Sequence, residues 1–125
     1  MSDARPPKMG FEHASEQAQT RLGDLLWDAH AAGSKLLEFT AGRSFEEFSE
    51  SEPLRAAAQA MLTIMAQSLT AISREFPAEF AKLDANTSNI REFIPASDSS
   101  LWTAVQSAPE VVADVQTLLD QWHQG

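Results

Sequence analysis

The chain of 125 residues has no cysteine, which excludes disulfides, thiolate metal sites and thiol nucleophiles and leaves the redox compartment undetermined. No apolar run approaches the roughly 18 residues that a membrane span requires, and the opening MSDARPPKMG lacks the apolar stretch of a secretory signal. A soluble, cytoplasmic protein with no membrane partner is expected. Positive charge is also scarce: nine basic residues face eighteen acidic ones, for a net charge of -9. That balance repels a polyanion at long range unless the few arginines gather in one patch, so nucleic acid is not an expected partner. The same acidity also serves simply to keep a protein in solution.

The length accommodates one domain with a real core and not two. Residues 1–13 carry Pro6, Pro7 and Gly10 with little apolar content, which predicts a flexible tail ahead of a folded domain over residues 14–125. From Ala14 to Gly42, Leu22, Leu25, Leu26, Ala29, Ala32, Leu36 and Leu37 recur at helical spacing. The acidic connector RSFEEFSESE follows, in which Ser44 and Glu47 form a capping-box signature for a short turn that presses Phe45 and Phe48 inward. A second helix is predicted from Pro53 to Glu75, with Leu54, Ala57, Ala58, Met61, Met65, Ser68, Leu69 and Ile72 on its buried face and Arg55, Gln59, Thr63, Gln67, Thr70 and Arg74 on its wet one.

A third helix is predicted from Pro77 to about Phe93, with Phe80, Leu83, Thr87, Ile90 and Ile94 along one side and Pro95 as its stop. After ASDSS, a short segment carries Leu101, Trp102 and Val105. A second capping-box signature, Ser107 with Glu110, then predicts the start of a last helix whose stripe is Val111, Val115, Leu118, Leu119 and Trp122. No stretch alternates as strands do. The expected fold is an all-α antiparallel four-helix bundle with short extra helical turns.

Several residues stand out from this pattern. Trp27 falls on the opposite side of the first helix from the leucine stripe, where either a covering loop bearing Phe45 and Phe48 or a partner interface would account for it. Glu46, Glu47, Glu50 and Glu52 have no histidine near them in sequence and read as a solvated surface; no metal site and no cofactor is expected. Met61 and Met65 read as core filler, and His30, beside the leucine stripe, as a partly buried structural imidazole.

With these residues in view, DLLWDAHAAGSKLLEFTAGRSFEEFSESEPLRAAAQ resembles the first helix, turn and second-helix start of the HepT-like family of the HEPN superfamily. LTIMAQSL stands where that family has L-E-I-I-G-E-A-L, and LWTAVQSAPEVVADVQTLL resembles its closing tryptophan segment and final helix. The resemblance spans about residues 22 to 120, and Phe39 to Phe48 is its most specific part. It implies a small helical bundle that acts as the toxin component of a toxin-antitoxin pair. It further implies a homodimer, and a minimal nucleotidyltransferase as the partner antitoxin.

The family's RNA-cutting pattern resembles R-N-x-x-x-H-x-Y near the end of the third helix. Counting back from Trp102 puts Asn86 at the arginine place, Thr87 at the asparagine place, Arg91 at the histidine place and Phe93 at the tyrosine place. Counting forward from Phe80 puts Thr87 and Glu92 at the arginine and histidine places. Neither frame contains the motif. His13, His30 and His123 all lie outside the segment, and arginine cannot act as a general acid or base near neutrality. The chain also has no tyrosine to accept a nucleotidyl group. On the expected partner-facing stretch of the second helix, G-E-A reads Ala66, Gln67 and Ser68; Trp27 is the further candidate for partner contact.

Three functions follow from this reading. The first is a HepT-like toxin-type component without ribonuclease activity that retains dimerisation and partner binding. The second is a helical interaction or regulatory module unrelated to toxin-antitoxin function. The third is a ribonuclease with a rebuilt site using Arg91, Glu92 and Asn86. A dimer is expected around the third and last helices, where Phe93, Ile94 and Leu101 would cluster.

Overall fold

A computed structural model describes the chain from Pro7 to Gln124, with side chains from Glu16 to Trp122. The helices are α1 (Pro7–Thr40), α2 (Phe45–Glu50), α3 (Glu52–Glu75), α4 (Pro77–Phe80), α5 (Ser88–Arg91) and α6 (Asp98–Gln124). No strand occurs among the described residues, and the all-α bundle is as expected. The backbone of α1 begins within the segment read as a tail; residues 1–6 lie outside the described residues.

Local chemistry sets most of the boundaries. Gly42 adopts a positive φ of 74° just beyond α1, the left-handed conformation in which glycine pays no Cβ penalty. The Ser44–Glu47 capping box forms in both directions, at 3.1 Å and 2.8 Å. Ser51 serves two helices: its N–H donates to the Phe48 carbonyl at the end of α2, and its Oγ accepts from the Leu54 N–H at the start of α3. Phe76 closes α3 by donating to Ile72 O at 2.8 Å, and Pro77 follows it.

Three long helices therefore carry the bundle, and their directions can be read from contacts at the two ends. Arg21, early in α1, pairs with Glu75 at the end of α3. Trp122, late in α6, donates its Nε1–H to the Gln19 carbonyl at 2.8 Å. Arg55 and Asp98, near the starts of α3 and α6, lie 3.4 Å apart. So α3 and α6 run parallel to each other and both antiparallel to α1. The residues between Glu75 and Asp98 return the chain to the starting end, which is the course a third helix of an up-and-down bundle would take.

That return leg differs from its predicted form. The helix expected from Pro77 to about Phe93 is broken into α4 and α5, with a loop between them. The Asn86 side chain accepts from the Ser88 N–H at 2.9 Å and from Ser88 Oγ at 2.6 Å, and the Ala85 N–H donates to Asp114 of α6 at 2.6 Å. Such bonds replace the helical ladder with a turn. Ile90 still reaches the core and Thr87 is buried, but Ile94 is exposed.

The second capping box also does not form. Ser97 begins α6 instead, accepting from the Ser100 N–H through Oγ and the Leu101 N–H through its carbonyl. The helix runs on through Pro109, at the cost of the one backbone bond that proline cannot donate. Ser107 Oγ donates to Thr103 O and accepts from Asn89. Leu101 joins the core, which removes it from the expected dimer cluster. Phe48 is fully buried with its ring 5.1 Å from Trp102, and Phe45 lies 6.2 Å from the same ring. Neither phenylalanine covers Trp27, which is 59% exposed. No helix among the described residues is long and apolar enough to cross a membrane.

Candidate binding groove

The return leg lies against α3, and Ile90, fully buried, pins α5 there. Its neighbour Arg91 emerges beside the C-terminal half of α3. Two contacts hold the guanidinium: Nε donates to Thr87 Oγ1 at 2.9 Å, and Cζ lies 5.1 Å above the centre of the Phe80 ring. The first fixes the plane of the group, and the second places a cation on the negative face of an aromatic ring. No carboxylate among the described residues pairs with Arg91.

A groove of about 410 Å³ opens at this point, lined by Ala66, Gln67, Thr70, Ala71, Arg74, Glu75 and Arg91. Arg74 is exposed and has no ion-pair partner among the described residues. Glu75, the one acid in the groove, is engaged from the other side: Arg21 donates to its two carboxylate oxygens from Nε and Nη2, each at 3.0 Å. The hydrogen bonds from Arg21 hold the Glu75 carboxyl below its ordinary pKa, and the bond to Glu75 raises that of Arg21. With its acid committed, the groove presents two arginines and two neutral polar side chains, a donor set suited to an acidic group.

The residues named from the sequence separate into distinct places. Arg91, Ala66 and Gln67 share the groove, although Ala66 and Gln67 are remote from Arg91 in the chain. Ser68 is buried, away from the groove lining. Glu92 and Phe93 face a second hollow of about 230 Å³ with Ser88, Asn89, Ser100 and Thr103, so Glu92 and Arg91 do not converge on one cleft. The Asn86 side-chain carbonyl oxygen accepts from Ser88, and the Thr87 hydroxyl oxygen accepts from Arg91 Nε. Trp27 stacks on His30 with ring centres 5.9 Å apart and planes 18° apart. His30 is half-buried, while the side chains of His13 and His123 lie outside the described residues.

The sequence places Arg74 and Thr70 only on the wet face of the second helix. Their spacing from Gln67 was the available signal, since three- and four-residue steps place side chains on one helical face. A third hollow holds Asp84, Glu110 and Asp114. No group of three or more acidic, histidine or cysteine side chains among the described residues is arranged to hold a metal ion.

Comparison with protein-family models, with curated proteins and with solved structures finds no match to this chain.

Proposed function

We propose that the chain is a HepT-like, toxin-type component whose ribonuclease chemistry is absent and whose remaining role is binding. The observation that carries this reading is the state of Arg91. It is oriented by Thr87 and Phe80 toward a groove on α3, where the one acid, Glu75, is already engaged by Arg21, while the candidate base of its own segment, Glu92, opens on another hollow. Cleavage of RNA by attack of the 2′-hydroxyl requires a base to take its proton and an acid to protonate the leaving oxygen. Two arginines supply positive charge and no proton relay, and charge stabilisation alone leaves a poor catalyst. The antitoxin partner of this reading is a minimal nucleotidyltransferase, for which Trp27 offers exposed apolar area on α1.

The test compares wild type, Arg91→Ala and Glu92→Gln on single-stranded and transfer RNA. No cleavage above background is expected from any of the three. Cleavage by the wild type that both substitutions abolish overturns the reading in favour of a rebuilt nuclease.

A further inference from the structure

Four side chains in the Arg91 groove carry polar groups that the fold leaves unused. Arg91 commits Nε to Thr87 and lies over the Phe80 ring, and neither of its Nη nitrogens has a hydrogen-bond partner among the described residues. The Arg74 guanidinium, the Gln67 amide and the Thr70 hydroxyl have none among them either. The one acid of the lining, Glu75, is held by Arg21. Two cations thus converge in a chain of net charge -9, whereas the hollow beside Glu92 and the hollow holding Asp84, Glu110 and Asp114 carry acids and no cation. Repulsion from the rest of the chain works against a polyanion at long range, so the pair suits a single negative charge better than a run of phosphates.

We propose that this groove binds an acidic peptide segment of a partner protein, with one carboxylate held by Arg74 and Arg91 and the peptide backbone running along Gln67 and Thr70. The two Nη nitrogens of Arg91 form a planar fork that matches both oxygens of a carboxylate. Its anchorage on Thr87 and Phe80 sets the fork before a ligand arrives, which lowers the cost of ordering it. Arg74, open on the surface, closes on the same carboxylate. A carboxylate also meets less repulsion from the nearby Glu75 than a phosphate dianion would. Along the rest of the groove, the Gln67 amide and the Thr70 hydroxyl each donate and accept, which is what the N–H and C=O of a peptide unit require. Ala66 and Ala71 present only methyl groups and leave room for a backbone. Gln67 and Arg74 are seven positions apart, about 10 Å along α3 at 1.5 Å per residue. An extended peptide covers that length in about three residues. The recognised segment is therefore an aspartate or glutamate with about three extended residues on one side of it. This inference rests on the binding role proposed above, and Trp27 is not among the lining residues.

The experiment titrates the isotopically labelled full chain and follows backbone amide and arginine Nε–H resonances by NMR. The probe is the capped peptide acetyl-Ala-Ala-Ala-Glu-Ala-Ala-Ala-amide, and the controls are its glutamine counterpart, acetate and a single-stranded oligouridine. The glutamate peptide is expected to shift Gln67, Thr70, Arg74 and Arg91 saturably at millimolar concentration, and the glutamine peptide and acetate to bind about tenfold more weakly or worse. Arg74→Gln and Arg91→Gln are each expected to weaken the glutamate peptide by about fivefold or more, with circular dichroism checking that the variants fold. Gln67→Ala is expected to weaken the peptide by about threefold and to leave acetate unchanged, because it removes a contact made only to the backbone. Equal binding of the two peptides, acetate as tight as the glutamate peptide, arginine variants of unchanged affinity, or a titration without saturation overturns the proposal. Oligouridine that shifts the same four residues at lower concentration than the peptide overturns it in favour of RNA. Cleavage of RNA by the wild type would remove the reading above without altering this titration, and a flat titration leaves the result of the cleavage assay as it stands.

Discussion

Gly33 and Val112 meet where α1 packs against α6: a β-carbon on Gly33 would overlap Val112 Cγ2 and sit 3.1 Å from Met65 Cε. The glycine lets all three long helices approach at one level. Helix propensity alone favours alanine over glycine by up to about 1 kcal/mol. The clash opposes it, because the branched Val112 side chain has little rotameric freedom in a helix. Gly33→Ala is therefore expected to destabilise by about 1–3 kcal/mol, the usual cost of overpacking. A higher midpoint of chemical denaturation would refute this.

Gly42 separates a conformational effect from a packing one. A β-carbon there meets nothing within 4 Å, yet φ is +74°. Gly42→Ala is expected to cost about 1–2 kcal/mol through the left-handed backbone alone. Its thermal melt should shift downward without any change in the near-ultraviolet signal of Trp102, whose surroundings stay intact.

Phe48 ties α2 to Trp102 and is fully buried. Phe48→Ala is expected to lose about 3–5 kcal/mol, as removal of a buried aromatic ring generally does. Ser44→Ala, which removes only the cap on the same turn, is expected to lose about 1 kcal/mol. The ratio of the two in urea unfolding tests whether packing or capping holds the connector. Equal losses would place the burden on the cap.

Trp27 and Trp102 should report differently. Trp27 is exposed and Trp102 is half-buried against two phenylalanines. Trp27→Ala is expected to change stability by no more than about 0.5 kcal/mol and to remove the fluorescence component most readily quenched by iodide. Persistence of that component after the substitution would mean that Trp27 is covered in solution.

The Arg21–Glu75 pair gives a pH dependence of known sign. Glu75 has a lowered pKa in the folded chain, with the Arg21 hydrogen bonds as the first cause. Its contribution is present above the ordinary glutamate range and is lost as pH falls from that range through the lowered native value. Both groups are open to solvent, so the effect is small and screened by salt. Subtracting the acid-side stability profile of Glu75→Gln from that of wild type should leave a difference that shrinks with falling pH. A difference that grows in acid would contradict the pairing.

Periodicity made much of this fold legible. The leucine stripe of α1 and the buried face of α3 follow from three- and four-residue spacing, and the position of Trp27 away from the core follows from the same wheel. The return leg was not legible in this way. Phe80, Leu83, Thr87 and Ile90 have helical spacing, but side-chain oxygens compete for the backbone N–H groups of the Asp84–Ser88 stretch, and Asn86 from within it and Asp114 from α6 win that competition. Ser107 and Glu110 imitate a helix start inside a helix that already began at Asp98, because a capping pattern does not record whether the preceding turn is packed.

By itself the amino-acid order determined which faces are apolar, where most helices begin and end, and that no cysteine, no tyrosine and no histidine stands in the segment from Asp84 to Pro95. Only the tertiary structure decided that Arg91 would meet Gln67 and Arg74 in one groove while Glu92 turned away from them. Helical spacing reports neighbours three and four residues apart on one element. The meeting of residues from two elements depends on how a buried Ile90 seats a four-residue turn against α3, and that is a property of packing in three dimensions.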